Sequence, residues 1–249
     1  MTLWGVEIWG GCLAFARISA LIMLLPGFGE SMVPQRVRLG IALMLTLVLA
    51  PTLAASLPKE PVDLAGGVTA LMGEILIGLM LGMVARVLQS ALTTAGQIAG
   101  FETGLAFAQT QDPTINQAGQ ILGLFYSLLG VVMIFTTGLH HDLLRAVAGS
   151  YEAFPPGISV PAGDAAQWAV QAAGDAFSLG VRIAAPLLFA GILFRFATAI
   201  LNRLIPQIQV YFVALPLNVA LGLAVLALSL SSGMLVWLDR MQRFATELR

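Results

Sequence analysis

The sequence predicts an all-α integral membrane protein with about six long, partly kinked apolar helices arranged as helical hairpins. Of its 249 residues, 58% are hydrophobic and only 10% are charged, and the mean hydropathy is +0.90. A soluble domain carries about 25% charged residues, so a surface with so few charges would not stay in water. The apolar residues also gather into runs of roughly 20, the length that crosses the hydrocarbon core of a bilayer.

Six such runs follow one another along the chain. The first lacks a basic start and contains Glu7 and Arg17, so we expect a helix that stays in the protein rather than a signal peptide. Prolines and glycines between the runs mark the turns, and an amphipathic stretch at 164–174 leads into the fifth. The predicted helices cover residues 3–25, 37–57, 64–88, 121–147, 177–201 and 210–238.

Charges and prolines within these runs argue against a simple bundle surrounded by lipid. An ionised group at the bilayer centre costs at least ~2.5–3.5 kcal/mol, so each should face protein, a water-filled lumen or the interface. Pro186 and Pro216 each remove a backbone hydrogen bond and are expected to kink their helices. Lysine and arginine are almost evenly divided between alternate loops, so the distribution of positive charge does not predict the orientation of the chain in the membrane. The charges concerned are Glu7, Arg17, Glu74, Arg86, Arg182 and Arg195.

The residue pattern supports neither an enzyme nor a metal site. It contains no Gly-x-Ser-x-Gly elbow, Walker A loop or dinucleotide fingerprint. In the cluster His140-His141-Asp142, neighbouring helical positions point about 100° apart, so both imidazoles could not easily reach one ion. Cys12, the single cysteine, is expected to be a small buried residue. We therefore expect no catalytic residues, no metal and no cofactor, and the net charge of −1 gives no argument for nucleic acid.

Glycine and polar residues concentrate at 99–123, in the middle of the apolar chain. Gly96, Gly100 and Gly104 recur every four residues and would let a helix pack closely or unwind cheaply, as Gly78 and Gly82 would permit close helix contact. Asp-Pro at 112–113 then favours a turn. The following stretch is too polar to rest in lipid. It is either an ordinary loop outside the membrane or a loop that lines a lumen, with phenylalanines as a hydrophobic constriction.

The motifs in and after this segment resemble those of one family. The run 100–108 (GFETGLAFA), the Asp112-Pro113 step and an apolar helix ending in Gly-Leu-His-His at 138–141 resemble the FliR family. The turn Arg203-x-x-Pro206-Gln207 and the final long apolar helix are also similar to this family. FliR proteins are the flagellar members of an export-gate family that is shared with virulence-associated type III secretion systems.

The resemblance implies a subunit of the flagellar type III export gate in the bacterial inner membrane, at the flagellar basal body. One such subunit would join FliP and FliQ homologues in a hetero-oligomeric ring, with an FlhB-type switch protein as a further partner. Unfolded flagellar proteins would pass through the channel, and the subunit would contact membrane lipid. By the same resemblance, residues 1–163 would be FliP-like, and 164–249 would hold the FliQ-like hairpin and the C-terminal end.

The resemblance also implies two functional segments. A central loop would close the channel as a plug, and its glycines at 96, 100 and 104 would serve bending and packing. A turn after the fifth helix would shape the cytoplasmic entrance with Asn202, Arg203, Pro206, Gln207 and Gln209. The plug residues would be Phe101, Phe107, Thr110, Gln111, Asp112, Pro113, Asn116 and Gln120.

Three alternatives stay open at the level of sequence. The chain could serve an injectisome rather than a flagellum. It could be a self-contained secondary transporter for a small solute, with a substrate site at broken helices near the midplane that Glu74 and Arg86 could serve. It could also be a membrane scaffold without a pore.

Overall fold

The computed structural model confirms the predicted all-α architecture. It describes residues 2–3, 6–30, 32–54, 56–58, 63–105, 118–156, 162–205 and 210–247. Two short strands, β1 (Thr2–Leu3) and β2 (Val6–Glu7), pair antiparallel ahead of the helices. The helices in this part of the chain are α1 (Ile8–Leu24), α2 (Gln35–Leu53), α3 (Leu64–Glu102), α4 (Ala118–Thr136), α5 (Leu139–Ala153), α6 (Ala162–Leu204) and α7 (Val210–Glu247).

Several of these helices have the length and composition to cross a membrane. Four described segments qualify on their own, and the bent pair α4–α5 makes a fifth if it counts as one span. Between 17% and 39% of the most apolar window of each of the four is buried within the chain, so most of that apolar surface faces outward. Such a surface is suited to lipid or to apolar protein partners. The four segments are Gln35–Leu53, Leu64–Glu102, Ala166–Leu204 and Ala214–Glu247.

The helix bounds differ from the predicted runs most clearly in α1, the predicted fourth helix, α3 and α6, which begins at Ala162 rather than at 177. α1 has 17 residues and is shorter than a full span. The predicted fourth helix, 121–147, is broken before Leu139, where Gly138 adopts a left-handed φ of 75° and the chain bends by 78°. α3 continues to Glu102, beyond the predicted end at 88. Both α6 and α7 run on past Pro186 and Pro216.

The chain folds into two compact units, and each is assembled from separated segments. The first unit contains Met1–Leu88, Met133–Gly174 and Met241–Arg249. In it, α3 lies against α1 so closely that a Cβ on Gly78 would overlap the carbonyl oxygen of Arg17, and one on Gly82 would lie 2.9 Å from that of Leu21. The predicted close helix contact at these two glycines is therefore confirmed.

The second unit contains Gln89–Val132 and Asp175–Arg240. Its core holds the fully buried rings of Tyr126 and Trp237 together with small residues of α3. α4 approaches α3 so closely that a Cβ on Gly96 would collide with the backbone at Leu122 and Gly123.

The expectation for Cys12 was wrong. This thiol is exposed rather than buried. It lies on the side of α1 that faces an apolar groove in the first unit. The sequence could not show this, because apolar residues surround Cys12 on every side of the helix.

Candidate functional site

The two segments that the resemblance singled out are described in part. Among the predicted plug residues, the structure describes Phe101, at the C-terminal end of α3, and the backbone of Gln120, in the first turn of α4. At the predicted entrance turn it describes Asn202 and Arg203, both exposed in the last turn of α6. Outside the described residues lie Phe107, Thr110, Gln111, Asp112, Pro113, Asn116, Pro206, Gln207 and Gln209.

The C-terminal end of α3 forms the root of the central segment, and local hydrogen bonds close it. The Thr103 N–H donates to the Ala99 carbonyl at 2.9 Å, and the Thr103 hydroxyl donates to the same oxygen at 2.8 Å. Gly104 then adopts a φ of 75°, the left-handed conformation that commonly follows a helix end and that only glycine adopts without strain. The helix therefore stops at a defined residue.

Two neighbouring helices hold this root in place through Glu102. Arg195 of α6 donates from Nη2 to the Glu102 carboxylate at 2.7 Å, and the Glu102 side chain is 11% exposed while that of Arg195 is 62% exposed. Asn218 of α7 donates from Nδ2 to the Glu102 carbonyl at 3.1 Å. A carboxylate is unfavourable near a helix C-terminus, so the arginine offsets a local electrostatic cost. The amide satisfies a last-turn carbonyl that has no partner within its own helix.

Two glycines allow α6 and α7 to reach the root. A Cβ on Gly191 of α6 would overlap the Glu102 carboxylate, and a Cβ on Gly222 of α7 would lie 2.7 Å from the Thr103 methyl carbon. A Cβ at Gly222 would press on the Thr103 backbone and separate the two helices, whereas one at Gly191 would force the Glu102 carboxylate to move. The sequence does not distinguish these glycines from others, since glycine is frequent in membrane helices generally.

The three predicted glycines have different surroundings. Gly96 and Gly100 are buried inside α3, and Gly104 follows its end. A Cβ on Gly104 would lie 3.2 Å from the Asn218 amide nitrogen. Phe101, by contrast, is 65% exposed, so packing against the described residues does not account for an aromatic ring here. These positions are compatible with bending and obstruction, which stay predictions.

A buried ionic cluster lies in the first unit, and none of its residues belongs to the two predicted functional segments. Arg17 of α1 donates to the Glu74 carboxylate of α3 through Nε at 2.6 Å and Nη2 at 3.1 Å, and both side chains are at most 1% exposed. Its third contact is the Ser150 carbonyl at 3.0 Å, and the Tyr151 ring lies 4.1 Å from the guanidinium carbon. The cluster joins α1, α3 and α5.

The described residues offer little for metal chemistry. Among them there is no group of three histidine, cysteine, aspartate or glutamate side chains that could hold an ion. The rings of His140 and His141 lie 4.0 Å apart, and His140 also packs against Phe135. These imidazoles belong to an aromatic cluster at the break between α4 and α5.

Comparison with known proteins gives the family. The profile of bacterial export proteins, family 1, matches residues 8–244. The chain belongs to this family of export proteins, the FliR family. The resemblance drawn from the motifs at 100–141 and 203–207 is thereby confirmed.

Individual relatives within and beside the FliR family match nearly the whole chain. The flagellar biosynthetic protein FliR of Caulobacter vibrioides is 42% identical over 94% of this chain and 93% of its own length. The protein of the same name from Escherichia coli is 31% identical over 85% of this chain and 80% of its own length. The Yop proteins translocation protein T of Yersinia pestis is 29% identical, with coverages of 84% and 81%.

Proposed function

We propose that this chain is a subunit of a type III protein-export gate that serves a flagellum. Its assembly with FliP and FliQ homologues would form a channel for unfolded flagellar proteins across the bacterial inner membrane. The observation that carries the proposal is the 42% identity to a flagellar biosynthetic protein over almost the full length. The outward-facing apolar surface of the four long helices supports it, since such a surface suits close contact with other membrane helices.

Within this gate, the central segment that follows α3 acts as the plug. Support comes from its root, where the Glu102–Arg195 ion pair and the Asn218 hydrogen bond fix the position from which the loop departs. A plug must be held at a defined place and still be able to leave it, and one partly exposed ion pair meets both needs. The exposed ring of Phe101 would contribute to the constriction.

The division into a FliP-like part at 1–163 and a FliQ-like hairpin at 164–249 belongs to the same proposal. The long antiparallel pair α6 and α7 is what a hairpin subunit fused to a larger partner would supply. An FlhB-type switch protein would then join the completed ring. The turn after α6, with the exposed Asn202 and Arg203, would lie at the cytoplasmic entrance.

A test of the assembly is affinity purification of the tagged chain from a membrane extract that also contains the FliP and FliQ homologues. Both small proteins are expected to co-purify in fixed proportion. Recovery of a solute-binding homo-oligomer without them would favour the secondary-transporter alternative and overturn the proposal.

A test of the plug is deletion of residues 110–120, read as leakage of ions across the membrane. The comparison is restricted to variants that still co-purify with their partners, so that loss of assembly cannot produce the result. Increased leakage is expected. Unchanged leakage in an assembled complex would instead indicate a scaffold role for this chain.

The second candidate is an injectisome gate, which the 29% identity to the Yop translocation protein favours. Deletion of the gene separates the two. Loss of motility with other secretion intact supports the flagellar assignment, whereas intact motility with loss of secreted effectors supports the injectisome.

A further inference from the structure

An open apolar groove runs along the first unit between α1, α2 and α3. Its volume is about 790 Å³, within the range of about 300–1,000 Å³ that small-molecule sites occupy. Its few polar groups are already satisfied within their own helices. The Thr46 hydroxyl donates to the Ala42 carbonyl at 2.7 Å, and the Ser19 hydroxyl donates to the Ala16 carbonyl at 3.2 Å. The body of any occupant must therefore be apolar.

The length of the groove fits a single hydrocarbon chain. Its lining extends along α1 from Ile8 to Met23, which corresponds to about 22 Å of helix. One leaflet contributes about half of a ~30 Å hydrocarbon core, so a single acyl chain fits within this length.

One end of the groove carries positive charge. Leu39 and Leu43 line the groove, and Arg36 lies three and seven positions before them, hence on the same face of α2 and one turn beyond the end. Arg36 is exposed, and it makes no hydrogen bond or ion pair with the residues described around it.

The groups around Arg36 leave this end with a net positive charge. Arg38 is committed to two backbone carbonyls, those of Glu30 at 2.8 Å and Val33 at 2.9 Å. Arg86 pairs with the Glu30 carboxylate at 2.9 Å. Three arginines and one glutamate give +3 − 1 = +2 among the described side chains here. An apolar groove with a free cation at one end matches an amphiphile with an anionic head.

We propose that this groove binds an anionic phospholipid. One acyl chain lies along α1 between α2 and α3, and the phosphate rests against Arg36. The site belongs to the first unit alone and does not depend on the export function. A lipid held there would fill the groove between three helices.

Two glycines provide a matched pair of variants to test the acyl-chain position. A Cβ added at Gly11 of α1 or at Gly40 of α2 would meet nothing within 4 Å, so a side chain at either position begins in open space. Gly11 lines the groove, whereas Gly40 does not. Native mass spectrometry of the purified protein with added phosphatidylglycerol is expected to show one retained lipid in the wild type and in Gly40→Phe. Gly11→Phe is expected to weaken retention at least tenfold.

The headgroup contact has its own pair of variants. Arg36→Gln should remove the preference for phosphatidylglycerol over phosphatidylcholine. Arg145→Gln changes an exposed arginine of the same unit and should leave the preference intact. Equal loss in both variants would mean that net charge, rather than the position of Arg36, determines the preference, and would overturn the headgroup assignment.

Cys12 supplies an independent readout, because it lines the groove and is the only thiol in the chain. Phosphatidylglycerol should slow its alkylation by maleimide in the wild type and in Gly40→Phe. Equal lipid retention in Gly11→Phe and Gly40→Phe would overturn the proposal. The proposal would also be overturned if Cys12 stayed reactive in the presence of lipid and was protected only when a second membrane protein co-purified. A protein helix would then be the occupant of the groove.

Discussion

Arg17 and Glu74 form a two-point ion pair, at 2.6 and 3.1 Å, in the interior of the first unit. The pair joins α1 to α3, and the Arg17 side chain continues to the Ser150 carbonyl on α5. Neither side chain has access to solvent, so each charge depends on the other for its stabilisation. The pair therefore sets the relative position of three helices within this unit.

Removal of one partner of this pair should be more damaging than removal of both. Glu74→Gln leaves the Arg17 guanidinium buried without a counter-charge, and a loss of about 3–5 kcal/mol in the free energy of unfolding is expected. The double variant Arg17→Met/Glu74→Leu has no buried charge and should lose less. Denaturation of the purified protein in detergent, followed by circular dichroism, measures both.

The exposed pair Arg145–Asp142 gives the control for this comparison. Arg145→Gln should change the unfolding free energy by no more than ~0.5 kcal/mol, as surface substitutions usually do. Additive losses from Arg17→Met and Glu74→Leu in the double variant would contradict the coupling.

Charge reversal at Arg195 should release the root of the central segment. Arg195→Glu places two carboxylates beside each other at the end of α3, which weakens the hold of α6 on Glu102. We expect increased ion leakage through the assembled complex and reduced swimming. Glu102→Lys/Arg195→Glu restores opposite charges and should recover most of both properties.

Arg145→Glu is the matched reversal, because Arg145 also lies beside a carboxylate and is exposed. It should leave leakage unchanged. A double variant at 102 and 195 that leaks as much as the single one would show that the ion pair itself is not what holds the root.

Alanine at Gly191 should destabilise the second unit, while alanine elsewhere in α6 should not. The added methyl group at Gly191 would overlap the Glu102 carboxylate and force it to move, which disturbs its partly exposed ion pair with Arg195 and is expected to cost up to about 1 kcal/mol. A Cβ at Gly174 meets nothing within 4 Å, so Gly174→Ala should be neutral or gain up to about 1 kcal/mol from helix propensity. Thermal unfolding in detergent compares the two, and equal midpoints would contradict the close approach of α6 to α3.

Two equally exposed phenylalanines can be used to test whether Phe101 obstructs the channel or contributes only to packing. Phe101 and Phe177 are each 65% exposed, so truncation of either should change stability little. If Phe101 narrows the channel, Phe101→Ala should raise ion leakage through the assembled complex, and Phe177→Ala should not. Equal leakage in the two variants would remove Phe101 from the proposed plug.

The sequence predicted the class of fold and the family, and both follow from local information. Runs of apolar residues fix helices, and the motif at 100–108 is read directly along the chain. It also indicated that charges inside the runs must find partners. It could not say which ones, because Arg17 and Glu74 are 57 positions apart and Glu102 and Arg195 are 93 apart. Such pairings depend on how helices pack.

Other differences between prediction and structure arise because the sequence alone does not distinguish glycines that break a helix or permit close packing from glycines that do neither. Gly138 breaks a run that reads as one continuous span, since glycine is tolerated within membrane helices. Gly191 and Gly222 carry no local mark of their contacts with the end of α3. The role of a glycine is therefore visible only after its neighbours are known.

The interleaved segments of the two units have a consequence for synthesis. The core of the first unit includes Phe244, near the end of α7, and this residue lines a small gap with Leu21 and Leu25 next to α1. The helices that leave the ribosome first therefore cannot complete their packing until almost the entire chain has been translated. During that interval, their apolar faces and the charged side chains of Arg17 and Glu74 must be accommodated by the insertion machinery or the bilayer. Translational stalling late in the message should consequently harm the earliest helices as much as the last one.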